Sequence, residues 1–236
     1  MGVTIFRPGR RVVIPSPGVQ VWSPRAASAA STWWDNNGAI SGCVAAYQAK
    51  GAASLAESYT NLANPGTYTA APGVAPTFNM VTGWTFNGST QYLTTGITPA
   101  QGWSMIIRFN TLANVDSIIA GSQATGGAPT TQFMIIPRAS GGATRVYRNG
   151  SDLSISGGKT SGVAAVAGAS AYLDGAAETG SMANALSGAQ PIFIGSRNNG
   201  GTASAFSNVV IVAFAIYNRT LSGAEISAET TLMNAL

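Results

Sequence analysis

From about residue 40 onward, apolar residues come in short runs with polar interruptions rather than at helical spacing. The runs at 43–47, 82–86, 91–94, 103–110, 116–120, 131–137, 144–148, 152–156, 162–167, 170–173, 191–195 and 206–217 are predicted to be strands. Asn87-Gly88, Gly126-Gly127, Gly141-Gly142, Asn149-Gly150, Asp174-Gly175 and Asn199-Gly200 punctuate them. Such dipeptides accept the positive φ of tight hairpin turns. Many short strands with regular turn chemistry predict an all-β antiparallel sandwich. One helix is predicted, at the C-terminus. There Ser222 and Glu225 form a capping box, and Ile226, Met233 and Leu236 give the helix an apolar side. Glu229, one turn after Glu225, is expected on its solvated face. A second, short helix is expected near Ala52–Glu57.

Residues 1–34 follow a different pattern. Pro8, Pro15, Pro17 and Pro24 alternate with short apolar pieces such as Val12-Val13-Ile14. Proline fixes φ and removes a donor, so an extended arm is expected. Arg7, Arg10, Arg11 and Arg25 make this arm basic, with no acidic residue before Asp35. With Trp22 they are the candidate docking residues, toward other subunits or a partner protein. The alternative is a disordered leader. Two regions are therefore expected, an arm at 1–34 and a β domain at 35–236.

Composition narrows the function classes. Charged residues make up only 8% of the 236, against roughly 25% in typical soluble domains. The formal charge of +4 resides in the arm, and the remainder is neutral. The β domain lacks the clustered cations that neutralise phosphates, so no nucleic-acid partner is expected. No apolar run reaches the roughly 20 residues of a membrane span, so no membrane insertion is expected. The N-terminus does not read as a secretion signal, because Arg7, Pro8, Arg10 and Arg11 interrupt it. Cys43 is the only cysteine, and its apolar strand predicts a small buried hydrophobe.

Several segments, in order, resemble the laminin G-like jelly roll of the concanavalin A-like lectins. Val44-Ala45-Ala46-Tyr47 resembles its opening strand. Trp84-Thr85-Phe86-Asn87-Gly88 through Tyr92-Leu93 resembles the hairpin that follows, and Trp103 to Phe109 the central strand. Ala171-Tyr172-Leu173-Asp174-Gly175 and Ile194-Gly195-Ser196 resemble later pieces. Ile216-Tyr217-Asn218-Arg219-Thr220-Leu221-Ser222-Gly223-Ala224-Glu225-Ile226 resembles the closing signature. The stretch Gly42–Gly96 is similar to small proteins of tailed bacteriophages, through Lys50-Gly51-Ala52-Ala53-Ser54-Leu55-Ala56 and Tyr59 to Gly66. The resemblance implies an antiparallel jelly-roll sandwich with a short C-terminal helix, and carbohydrate binding. The chain departs from the family at Gly162–Ala167, which lacks a frequent Trp, and at Asn208, where many members are acidic. The second departure removes the ground for carrying over a calcium site.

There is no histidine, which excludes Ser-His-Asp, Cys-His and His-metal chemistry. The tight E-x-D-x-x-E strand motif of jelly-roll glucanases is absent; Glu225 is a capping residue, Asp174 a turn residue, Asp152 follows an Asn-Gly turn, and Asp35, Glu57, Asp116 and Glu178 lie in different segments. No catalytic residue, metal or cofactor is expected; Asp116 and Asp174 are the mild calcium candidates. Sugar sites combine an aromatic platform with amide, carboxylate and guanidinium groups. Tyr147, Arg148, Asn149, Arg197, Asn198 and Asn199 are the candidate carbohydrate-binding residues. Trp33, Trp34 and Trp103 also supply suitable types, although Trp84 and Trp103 lie on strand patterns that predict core positions. The Ser196–Gly201 stretch is the best exposed polar loop, its alternative an ordinary hairpin turn. The expected function is a non-enzymatic virion surface protein, a tail or fibre adhesin binding a host-surface glycan. The arm would join it to other virion proteins, and a homo-oligomer is expected. The alternatives are a capsid or tail decoration protein and, disfavoured, a glycan-cleaving enzyme.

Overall fold

A computed structural model describes residues 32–236. The proposed docking residues Arg7, Arg10, Arg11, Trp22 and Arg25 lie outside the described residues. Two sheets make a sandwich. The first runs β13 (Ala176–Ala177), β12 (Ser170–Leu173), β11 (Gly162–Ala167), β6 (Ser104–Asn110), β17 (Asn208–Tyr217), β4 (Gly83–Asn87) and β3 (Thr77–Asn79), with β1 (Cys43–Gln48) also on β17. The second runs β10 (Asp152–Ser156), β9 (Thr144–Asn149), β8 (Phe133–Ala139), β7 (Ala120–Gln123), β14 (Phe193–Ile194), β5 (Tyr92–Thr94) and β2 (Ala71–Val74). The hairpin of β15 (Arg197–Asn199) and β16 (Thr202–Ser204) joins it through β7. All pairings are antiparallel except β15 with β7.

β17 organises the first sheet. One of its edges pairs with β6, while the other is shared by β4 over Asn208–Ile211 and β1 over Ala213–Tyr217. The handover falls on Val212, a bulge residue that has no partner in the β6 ladder. Its carbonyl instead accepts the amides of Ala49 (2.9 Å) and Lys50 (3.3 Å). The alternation along the strand is otherwise simple. Val209, Ile211, Phe214 and Ile216 point between the sheets, where they meet Trp84, Phe86, Phe109, Phe133 and Ile135. Ala213, Ala215 and Tyr217 point outward, with Ile106, Val163 and Ala165 beside them. That outer face is apolar too, which is why β11 and β17 read as unbroken apolar runs.

The C-terminal helix α2 (Gly223–Ala235) covers this outer face. Its capping box forms as the residue types require: Ser222 Oγ accepts the Glu225 amide, and the Glu225 carboxylate accepts the Ser222 amide (2.8 Å). Arg219 Nη2 lies 2.5 Å from the same carboxylate and, as the largest influence, draws its pKa down to about 2. Ser222→Ala is expected to lower stability by about 1 kcal/mol, read as the shift in urea midpoint at unchanged slope. The helix buries Ile226, Glu229, Thr230 and Met233. Glu229 is thus not on a solvated face but fully buried, because 226, 229, 230 and 233 make one stripe at helical period. The short helix α1 spans Leu55–Ser58 and is capped by Ser54.

The structure also corrects strand limits. The run at 116–120 is mostly loop: Asp116 has φ 53° and β7 begins at Ala120. β2, β3, β13, β15 and β16 have two to four residues each, too few for a period to emerge in the sequence. Cys43 lies half-buried in β1, its thiol pushed up by burial and then by the Glu229 and Asp35 carboxylates.

Candidate functional site

Period two sends neighbouring residues to opposite faces, so β9 divides its candidates. Tyr147 points into the core and its hydroxyl donates to Glu178 Oε1 at 3.3 Å. Arg148 points outward. Asn149 is fully buried, its amide donating to the Gly168 carbonyl (2.8 Å) and Asn184 Oδ1 (3.2 Å). The hairpin β15–β16 separates the rest. Arg197 faces outward, while Asn198 is buried, with its amide on the Pro191 carbonyl (2.8 Å) and its oxygen on the Gly201 amide (2.7 Å). Asn199 Oδ1 accepts from Gln123 Nε2 at 2.8 Å. Tyr147, Asn149 and Asn198 therefore have no surface to offer a ligand. The stretch 196–201 is mostly strand and turn. Trp33 is buried and donates from Nε1 to Gln48 (2.9 Å), and Trp103 is half-buried against the core.

Strand register brings Arg148 and Arg197 onto one row. It reads Asp152, Arg148, Met134, Gly121, Arg197, Ser204 across β10, β9, β8, β7, β15 and β16. The two arginine backbones are three inter-strand spacings apart, roughly 14 Å. Gly121 keeps the middle of the row low, since a Cβ there would come within 2.2 Å of the Met134 Cβ. Together these strands and the flanking loops enclose a depression of about 490 Å³. Ile118, Ile136, Val146, Ala139 and Ala205 form its apolar floor.

Both guanidiniums are held in place with donors to spare. Arg148 Nη1 donates to Gln132 Oε1 (2.8 Å), and its Nε lies 2.9 Å from Asp152 Oδ1. Arg197 donates to Gln123 Oε1 (3.0 Å) and Ser204 Oγ (3.1 and 3.2 Å), and has no carboxylate partner among the described residues. Burial, and then the charge of Arg148, holds the Arg197 guanidinium below the usual arginine range. An anion between the two side chains would favour the charged form of both. Neither Gln123 nor Gln132 stood out in the sequence, because a neutral amide buffering an arginine leaves no spacing signal.

Asp116 and Asp152 also line the depression. Asp116 sits level with Ser140, whose amide its carboxylate accepts (2.7 Å), and Asp152 pairs with Arg148. Among the described residues no group of three His, Cys, Asp or Glu side chains is placed to hold a metal ion. None of the described helices is long and apolar enough to cross a membrane.

No protein-family model and no curated protein sequence matches the chain. Similarity appears among solved structures. Trypanosoma rangeli sialidase in complex with sialic acid is 15% identical, with a TM-score of 0.53 over 82% of this chain and 33% of that one. The NanB sialidase of Streptococcus pneumoniae is 12% identical, with a TM-score of 0.48 over 61% of this chain and 26% of that one. The CBM40 of Ruminococcus gnavus IT-sialidase, bound to α2,3-sialyllactose, is 16% identical over 56% of this chain and 83% of that one, with a TM-score of 0.40. The chain thus spans about a third or less of the two sialidases. What it shares with the Trypanosoma enzyme is the β-sandwich fold.

Proposed function

We propose that this protein is a non-catalytic carbohydrate-binding protein, whose ligand is an acidic sugar held on the outer face of the second sheet. The Arg148–Arg197 row carries the reading. Two guanidiniums with spare donors suit one carboxylate or sulfate, and such charge-assisted bonds are about twice as strong as neutral ones. Asp116 and Asp152 supply acceptors for sugar hydroxyls, and the apolar floor suits the C–H face of a pyranose ring. A sialidase in complex with sialic acid among proteins of similar fold makes sialic acid a sensible first ligand.

The sequence resemblance to small tailed-phage proteins favours a virion surface protein, with the sandwich used as an adhesin for host glycans. A non-catalytic role is favoured by the absence of the E-x-D-x-x-E strand motif of jelly-roll glucanases. The lack of histidine removes the other common hydrolytic arrangements. On a glycan array the protein is expected to select acidic glycans. Arg148→Gln and Arg197→Gln should each weaken binding by at least about tenfold while leaving the fold intact. An array silent for wild type would favour the decoration reading, and release of reducing sugar from host polysaccharide would overturn the non-catalytic one. Antibody labelling of intact particles tests the virion assignment independently.

A further inference from the structure

The outer face of the first sheet carries a second depression, made by a mismatch of lengths. α2 has 13 residues and spans about 20 Å, whereas the ten residues of β17 span about 33 Å. The helix therefore leaves the Asn208 end of β17, and the β6 residues beside it, uncovered. A cavity of about 500 Å³ lies there, within the usual range for small-ligand sites. Val210, Val212 and the exposed Val81 form its apolar wall. Asn110, Thr82, Thr160 and Ser161 add neutral polar groups.

Its charge is one-sided. Lys50 and Arg108 both line it, no carboxylate does, and neither cation has an ion-pair partner among the described residues. Arg108 Nη1 donates to the Met233 carbonyl at the end of α2, which fixes the guanidinium and leaves its other donors uncommitted. Burial holds that guanidinium below its usual range. Backbone irregularities aim the site. The Val212 bulge ties down the Ala49 and Lys50 amides and so presents the lysine over the cavity. The Gly51 amide donates to the Met80 carbonyl (2.7 Å), drawing in the turn that carries Val81 and Thr82. Next to that turn Gly83 has φ 112°, and a Cβ there would lie 2.3 Å from the Ile211 carbonyl oxygen, so only glycine lets the chain pass so close. On the opposite rim Thr111 has φ 52°, a costly conformation for a β-branched residue.

We propose that this cavity is a second binding site, separate from the arginine row, for a small organic anion with an apolar body. Lys50 and Arg108 meet the anionic group and Val81, Val210 and Val212 cover the apolar part. The test is a titration of the 15N-labelled full-length protein with hexanoate, using hexylammonium as the charge-reversed control and inorganic sulfate as the control without an apolar body. Hexanoate is expected to bind with a Kd on the order of 1 mM, set by its few heavy atoms. Amide shifts should concentrate at Gly51, Thr82, Thr111 and Ser161. Hexylammonium should leave them in place, and sulfate should bind more weakly. Lys50→Gln and Arg108→Gln should each weaken hexanoate about tenfold. Lys50→Gln decides the matter if loss of the Met233 contact unsettles the arginine variant. Equal response to hexanoate and hexylammonium would overturn the proposal. So would shifts confined to the Arg148–Arg197 face, or no localised movement well above the expected Kd. Failure of the glycan array leaves this site untouched, since the two lie on different sheets.

Discussion

Glu229→Gln is expected to stabilise the protein increasingly as pH rises, with little effect near pH 4.5 and a gain of about 4 kcal/mol by pH 8.5. The cause is the burial of Glu229 beneath α2, where neither carboxyl oxygen has a hydrogen-bond partner among the described residues. The Tyr217 hydroxyl lies nearby but donates to the Trp34 carbonyl at 2.7 Å. Burial is the largest influence and raises the Glu229 pKa from 4.5 to about 8, partly offset by the Tyr217 hydroxyl and then reinforced by the charges of Asp35 and Glu225. Below pH 4.5 the folded and unfolded chains both hold this proton. Between 4.5 and about 8 only the folded chain keeps it, so each pH unit removes about 1.4 kcal/mol of stability. Above about 8 the loss is complete. Tyr217 and Cys43, which face the same carboxyl, are held up by burial and stay neutral throughout. Urea midpoints at pH 4.5, 6.5 and 8.5 measure the effect, and parallel profiles for wild type and variant would refute it.

The second large effect is expected at the end of the sandwich, where Arg145 of the second sheet reaches Glu178, just beyond β13 of the first. The contact is bidentate, Nε to Oε1 at 2.5 Å and Nη2 to Oε2 at 2.7 Å, and both side chains are nearly buried, at 12% and 9% exposure. Arg145 Nη1 also donates to the carbonyls of Ser156 and Gly157, at 2.6 Å each. Arg145→Met should cost about 3–5 kcal/mol, because it strands a buried carboxylate beside the Tyr147 hydroxyl. The double variant Arg145→Met with Glu178→Met should recover much of that loss, since it removes the stranded charge as well. A double variant as unstable as the sum of the two single ones would show that the pair acts through packing alone.

Turn chemistry and apolar runs were enough to read the sandwich, the capped terminal helix and most long strands. Each is a local consequence of backbone preference and side-chain period. Some of the rest was legible but overlooked: Glu229 shares the helical stripe of Ile226 and Met233. Other features were not legible at all. Alternation shows that Tyr147 and Arg148 face opposite ways, but only packing against the first sheet decides which of them turns inward. Asn149 and Asn198 are polar residues beside turns and look available in sequence, yet each is spent satisfying interior carbonyls. Gln123 and Gln132 acquire their role from the arginines that register lays against them.

By itself, then, the sequence determined a charge-poor, histidine-free β domain closed by a capped helix, because composition, turn types and caps act over a few neighbouring residues. Tertiary structure alone decided which polar side chains share a surface. Arg148 and Arg197 are 49 residues apart in the chain and share a row only because β9, β8, β7 and β15 pair in one register. Lys50 and Arg108 share a cavity only because a bulge in β17 ties down the chain just after β1 and one helix stops short of the end of β17. Pairing register and element length are non-local quantities, fixed by the burial of the whole core, and no single segment encodes them.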